Sequence, residues 1–331
     1  MHFSEIIGQE DAKNLLVHAI KNNSTSHAYI FSGEKGSGKT MLAEAFAAML
    51  LCQEPGEDSC GQCHSCKQAA SHNNPDIIYV TAEEGKSAIG VDVIRERINN
   101  DIVLKPYASS HKVYIIKDAE KMNQQAQNAL LKTIEEPPAY AVIILLTCNH
   151  NALLQTILSR CVTIQTKPLS TQVIKDQLIS RYGIVDYQSQ MVASFAQGNM
   201  GRALELASND EFNELKRQVT SLVKKAGKLD EYGVSQAVKS LAEVKDQLDS
   251  IIDLMTLWYR DVLLYKSTSS EKHLIFKEDM YDIKELARDC SYLGLNQIFG
   301  AIAEARERLK ANVNMELTIM LLILTIKENC K

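Results

Sequence analysis

Three groups of residues in this chain could do chemistry. The first, Gly33-Glu34-Lys35-Gly36-Ser37-Gly38-Lys39-Thr40, fits G-x-x-x-x-G-K-[ST] at every fixed position. Gly33, Gly36 and Gly38 allow backbone N–H groups to turn inward as an anion nest, and the helix that should follow adds the positive end of its dipole. In that arrangement Lys39 reaches the β- and γ-phosphates and the Thr40 hydroxyl holds Mg²⁺, which suits ATP or ADP. A Gly-rich turn with a chance Lys-Thr is the bland alternative. Binding needs only this loop, whereas hydrolysis needs more.

The second group is Cys52, Cys60, Cys63 and Cys66, spaced C-x7-C-x2-C-x2-C. Two overlapping C-x2-C turns bring thiolates together, and a Cys at the end of the preceding helix can complete a tetrahedron. Four thiolates leave no open position, so a zinc ion there would be structural. His64 could replace one Cys, and reduced free thiols in a loop are the other reading. The remaining four cysteines are isolated and read as ordinary buried residues.

The third group surrounds the ends of later strands. A P-loop ATPase places an Asp for Mg²⁺ at such a strand end, in many families followed by a Glu that activates water. Here Val113-Tyr114-Ile115-Ile116 is followed by Lys117-Asp118-Ala119-Glu120. Lys117 stands where the metal carboxylate belongs, and a cation there repels Mg²⁺. Asp118 would have to serve as ligand or base; a register one residue later would make it a working ligand. The expected hydrolysis is weak or absent. Thr147 and Asn149 end another strand, where they could sense a γ-phosphate or simply cap the strand. Arg160, in Ser159-Arg160-Cys161, could enter a neighbouring subunit's nucleotide site or form a surface ion pair; spacing alone favours the ion pair.

The elements that must hold these groups are read from pattern. The chain has 331 residues, enough for two or three domains, and 45% apolar residues, which excludes a disordered chain. Only 15 Gly and 6 Pro favour helices over a turn-rich β-sandwich. A net charge of −5 argues against a strongly basic nucleic-acid binder acting alone. Met1 to Glu5 shows no secretory signal, and the greasy run Leu317 to Ile326 is about half a membrane span. A soluble cytoplasmic protein is expected, with that run as a fully buried helix.

Near-continuous apolar runs at His27–Ser32, Asp76–Val80, Lys112–Ile116 and Val142–Thr147 predict parallel strands covered on both faces. Between them, Gln9–Ile20, with Ala12, Leu15, Leu16, Ala19 and Ile20 on one face, Thr40–Leu51 and Asn123–Ile134 predict helices, giving a doubly wound α/β sheet. Val162–Gln165 is a further β-like run. Beyond Pro168 only helical patterns remain, including one face of Leu248, Ile251, Ile252, Met255, Tyr259 and Val262 and another of Leu295, Ile298, Ile302 and Leu309.

Several segments then form a joint pattern: Ile6-Ile7-Gly8-Gln9, Ser26-His27-Ala28-Tyr29 ahead of the phosphate loop, the cysteine quartet, Asn128-Ala129-Leu130-Leu131-Lys132, Glu135-Glu136-Pro137-Pro138, Ser159-Arg160-Cys161, and Asn314-Met315-Glu316-Leu317. Through them the chain resembles, over essentially its whole length, the clamp-loader branch of the AAA+ ATPases. The block from 128 to 138 is highly specific to that family.

The resemblance implies an AAA+ core over 1–167 with a zinc insert at 52–66, a helical lid over 168–208 and an all-helical collar over 209–331. It implies an adenine-pocket segment at Ile6–Gln9 and an Arg160 that acts on the adjacent subunit's ATP. Two departures stand out. Motor members carry Asp-Glu where Lys117-Asp118 stands, and their lid Arg follows a Gly by three residues, whereas Arg202 follows Gly198 one place later. Both suit a non-motor stator whose nucleotide is structural. Its implied partners are gamma/tau-type motor subunits, the clamp-opening delta subunit, and, through the assembly, the sliding clamp and primed DNA. A motor subunit or other active AAA+ ATPase, and a nucleotide-sensing module outside replication, are the alternatives.

Overall fold

The computed structural model describes every residue except 1, 84, 209, 243–246, 273, 312 and 331. Its contacts divide the chain into two units: Met1–Ser170 with Gln197–Arg202, and Thr171–Ala196 with Ala203–Lys331.

In the first unit the apolar runs become β1 (Ala28–Ser32), β2 (Ile77–Val80), β3 (Lys112–Ile116), β4 (Ala141–Thr147) and β5 (Val162–Gln165). They form one parallel sheet in the order β2-β3-β4-β1-β5. Its central strands β1, β3 and β4 are buried at every position because both faces are covered. Tyr29, Phe31, Val113, Ile115, Val142, Ile144 and Leu146 face one core, shared with α1 (Glu10–Lys21) and α2 (Lys39–Leu50). Ile30, Tyr114, Ile116, Ile143 and Leu145 face the other. After α3 (His64–Ala70) and the short α4 (Val91–Ile94), α5 (Gln124–Glu135) packs into that second core. The Asn123 side chain caps α5, Pro137-Pro138 prevents its continuation, and α6 (Gln155–Leu158) precedes β5. Leu15 departs from expectation: α1 buries Ala12 and Leu16 but leaves Leu15 47% exposed, because its inward stripe is narrower than the apolar pattern.

Strand register sets the place of the phosphate loop. Ser32 pairs with Thr147 of β4 and with Gln165 of β5. The carboxyl ends of three strands therefore meet where β1 runs into that loop.

Among the described residues of the second unit there is no strand. It contains α7 (Thr171–Tyr182), α8 (Asp186–Phe195), most of α9 (Met200–Ser208), α10 (Asp210–Lys225), α11 (Glu231–Ala242), α12 (Leu248–Thr268), α13 (Met280–Asp289), α14 (Tyr292–Lys310) and α15 (Met315–Asn329). One apolar core joins Ile252, Met255, Trp258, Tyr259, Ile283, Leu295, Ile298, Ile302, Ile319, Leu322, Ile323 and Ile326. Buried Asp261 ties α12 to the chain ahead of α13, accepting N–H bonds from Ile275 (2.5 Å) and Phe276 (2.9 Å). The expectation of an all-round buried last helix is corrected: Leu317 (53% exposed), Leu321 (42%) and Leu324 (37%) lie along one open face of α15. An apolar run alone does not say which side of a helix its neighbours cover. Among the described residues no helix is long and apolar enough to cross a membrane.

Candidate functional site

The phosphate loop begins where β1 ends. Gly36 and Gly38 take φ of +83° and +91°, in the left-handed region that glycine enters without strain. Gly38 is also the residue before α2, and no side chain caps that helix start. Its first N–H groups are thus left for an anion, at the positive end of a twelve-residue helix. Lys39 is 8% exposed and lies within the loop, donating to the carbonyls of Gly33 (2.6 Å) and Glu34 (2.7 Å) and to Cys148 Sγ (3.5 Å). A phosphate would compete with these carbonyls for the ammonium protons. Thr40, next on α2, is the hydroxyl available for a metal ion.

Neighbouring strand ends close around the loop. Thr147 is fully buried; its carbonyl accepts the Gly33 N–H (3.1 Å) and its hydroxyl accepts the Asn149 N–H (3.0 Å). Thr166, just beyond β5, donates to the Ser32 carbonyl (3.2 Å) and shares a hydroxyl–hydroxyl bond with Ser37 Oγ (2.8 Å). A Cβ at residue 33 would stand 1.9 Å from the Thr166 hydroxyl, so only glycine fits there. From far along the chain, the segment Gly198–Arg202 returns to the same place. Asn199 Nδ2 donates to the Lys35 carbonyl (2.6 Å), the Gly201 N–H donates to the Gly36 carbonyl (3.0 Å), and Asn199 Oδ1 accepts the Arg202 N–H (3.1 Å). Thr166, Asn199 and Gly201 were not identified from sequence; each is an ordinary residue type that matters only through its place in space.

β3 runs directly into Lys117 and Asp118. Val113 and Ile115 face the core that contains α2, so Lys117, two residues on, projects to the same face. Its ammonium lies 4.9 Å from the centre of the Tyr79 ring. Burial beside Glu44 raises the Tyr79 hydroxyl pKa, which keeps that ring a neutral partner. Asp118 takes φ +51° and pairs with Lys121 (2.8 Å), on the exposed surface. Glu120, whose direction the sequence left open, accepts the Cys148 N–H (3.2 Å) at the end of β4.

The four cysteines converge. The Sγ atoms of Cys52, Cys60, Cys63 and Cys66 all lie within 4.8 Å of one another, with Cys60 and Cys66 3.9 Å apart. A tetrahedral zinc with Zn–S of about 2.3 Å has S···S edges of about 3.8 Å, so the quartet could hold such a metal ion. Backbone N–H groups already point at sulfur: Cys60 to Cys52 (3.3 Å), Cys63 to Cys60 (3.3 Å) and Cys66 to Cys63 (3.4 Å). The bonds from the Cys63 and Gln62 backbones, with one from Cys52, bring the Cys60 thiol down to about 6. Asp58 and Ser59 tie the cysteine loop to the N-terminal segment: the Ser4 N–H donates to Asp58 (3.1 Å), and Ser59 Oγ bonds His2 Nδ1 (3.1 Å).

Arg160 lies apart from these groups, on the surface after α6. Nη2 pairs with Glu135 at 2.9 Å, and Nη1 donates to the Thr156 carbonyl (3.1 Å) and Ser159 Oγ (3.4 Å).

Comparison with known proteins gives this arrangement a family. The profile described as "DNA polymerase III, delta subunit" matches residues 8–170, and that described as "DNA polymerase III, delta subunit, C terminal" matches 209–328. DNA polymerase III subunit delta' of Bacillus subtilis is 31% identical over 324 residues, covering 97% of this chain and 96% of that protein. The subunit delta' of Pseudomonas aeruginosa is 32% identical over 252 residues, 75% of each chain. Subunit tau of Bacillus subtilis is 30% identical and covers 93% of this chain but 58% of its own length.

Proposed function

Because this chain belongs to the delta-prime family of DNA polymerase III clamp-loader subunits, we propose that it acts in the loader as a stator, a member that binds nucleotide without turning it over. One observation carries the reading: the residue that follows β3, the position where a hydrolysing P-loop protein needs a metal carboxylate, is Lys117, whose ammonium sits over the Tyr79 ring of β2. Around it the binding parts are intact. Gly33, Gly36, Gly38, Lys39 and Thr40 supply the cradle and Thr147 lines its edge. Asp118 would have to leave Lys121 to reach a metal ion. Nucleotide held this way, ATP or ADP, stabilises the fold around the loop rather than driving a cycle.

Arg160 is the group this subunit lends. It is exposed, held by two hydrogen bonds and an ion pair, and outside its own phosphate site, which suits insertion beside a motor subunit's γ-phosphate, where it would stabilise transferred charge. Zinc in the cysteine quartet would fasten the insert to the N-terminal segment, a purely structural role. Residues 168–208 would form the lid and 209–331 the collar that joins motor and delta subunits. Through that assembly the chain would help place the sliding clamp on primed DNA, in the cytoplasm. The test is reconstitution with motor and delta subunits. Arg160→Ala should enter the complex on gel filtration yet lower its ATPase by a factor of about 10³ or more at the site it serves. An unchanged rate refutes the lent arginine; failure to assemble with either partner refutes the loader role.

A further inference from the structure

A lent arginine is useful only if its guanidinium waits in a fixed place, since a free Arg side chain is spread over many rotamers. Resting on the trans role just given to Arg160, we propose that Glu135 is its positioning residue.

The reason begins with the helix. Glu135 is the last residue of α5, and Glu136 follows as its cap. The carboxyl end of a helix carries partial negative charge, so acidic residues there are unfavourable. Local helix physics thus gives no reason for a carboxylate at 135. The Arg160 guanidinium gives one: Glu135 Oε1 forms an ion pair with Nη2 at 2.9 Å. The site of the carboxylate is itself fixed, because α5 is packed in the sheet core through Leu130 and Ile134 and is stopped at once by Pro137-Pro138.

The remaining contacts complete a clasp. Nη1 donates to the Thr156 carbonyl and to Ser159 Oγ, both on the turn that carries Arg160. The two hydrogen bonds use both Nη1 hydrogens and the ion pair lies at Nη2, which leaves Nε–H for a phosphate oxygen. The Arg160 and Glu135 side chains are 41% and 45% exposed, so a neighbouring subunit can reach the free edge. An exposed pair of this kind adds little to stability. Its value is that the rotamer freedom of Arg160 is lost before the neighbour arrives.

Two readouts test this. In the free subunit, Glu135→Ala should speed modification of Arg160 by phenylglyoxal, followed by peptide mass spectrometry, several-fold over wild type. In the assembly with motor and delta subunits, Glu135→Ala should lower kcat for ATP by roughly three- to tenfold, with KM within about twofold, a change of the size expected from partial loss of orientation. Glu135→Gln, whose amide oxygen still accepts, should lose less. The melting temperature of the free Glu135→Ala subunit should not fall, because removing an acid from a helix end offsets the lost pair. A lower melting temperature with unchanged kcat would make the pair merely structural and overturn the proposal, as would unchanged phenylglyoxal reactivity. If Arg160→Ala lowers the assembly's rate while Glu135→Ala does not, this inference alone fails; if Arg160→Ala has no effect, the trans role fails and takes the inference with it.

Discussion

In the proposed reading Lys117 matters more than any other side chain. It follows β3 and ends over Tyr79 of β2, so in that reading a cation stands in the sequence position where a motor carries its metal carboxylate. Magnesium should therefore add little to nucleotide affinity. In a fluorescent-ADP titration, replacing Mg²⁺ by EDTA should change Kd by less than about twofold, and Lys117→Asp should make binding clearly Mg²⁺-dependent; a tenfold magnesium effect, about 1.4 kcal/mol, in the unmodified chain would contradict this. The identity of this residue was visible in the sequence, because an apolar strand followed by Lys-Asp fixes which residue ends the strand. Its direction was not, nor was that of Glu120. Whether a side chain after a strand points to the loop, to solvent or to a neighbouring strand depends on contacts that only the folded sheet supplies.

The elements divide in the same way. Four of the strands could be read from apolar runs, since strands covered on both faces carry few polar positions to confuse the pattern, and the exposed edge strand β5 from a shorter β-like run. The cysteine quartet could be read from spacing, since the short C-x2-C turns constrain distance locally. Metal analysis of reduced protein should give about one zinc per chain, and Cys63→Ser should loosen the insert while leaving the helices of the second unit intact, as followed by hydrogen exchange. Thr166, and the contact of the Gly198–Arg202 segment with the loop, escaped notice because their role depends on distant partners. A Cβ on Gly201 would stand 2.6 Å from Gly36 Cα and 2.8 Å from the Gly36 carbonyl oxygen, both backbone atoms. Gly201→Ala should therefore displace the phosphate loop and weaken nucleotide binding by about tenfold or more, with little change in helix content. Equal affinity would show that the contact between the segment and the loop is incidental. The open face of α15 is the converse case, an apolar helix that pattern alone placed wholly inside.

At the scale of the whole molecule, stability and function come from different parts. The helical unit depends on a few buried polar groups as well as its apolar core. Asp261→Ala would orphan the Ile275 and Phe276 N–H groups, each costing about 1–3 kcal/mol, so urea unfolding of that unit should shift to clearly lower concentration. Family membership was legible because motifs across the chain agreed, and relatives covering nearly its full length bear it out. In the proposed reading, what separates this member from a motor lies in a few side chains at the carboxyl end of the sheet. The decisive measurement is steady-state ATP hydrolysis by the purified chain, beside the same chain carrying Lys39→Ala and beside the assembled loader. The account predicts that the isolated chain binds nucleotide but hydrolyses it no faster than the Lys39→Ala control, while the assembly turns over and loses rate with Arg160→Ala. Turnover by the isolated chain on the order of one per second, abolished by Lys39→Ala, would contradict it.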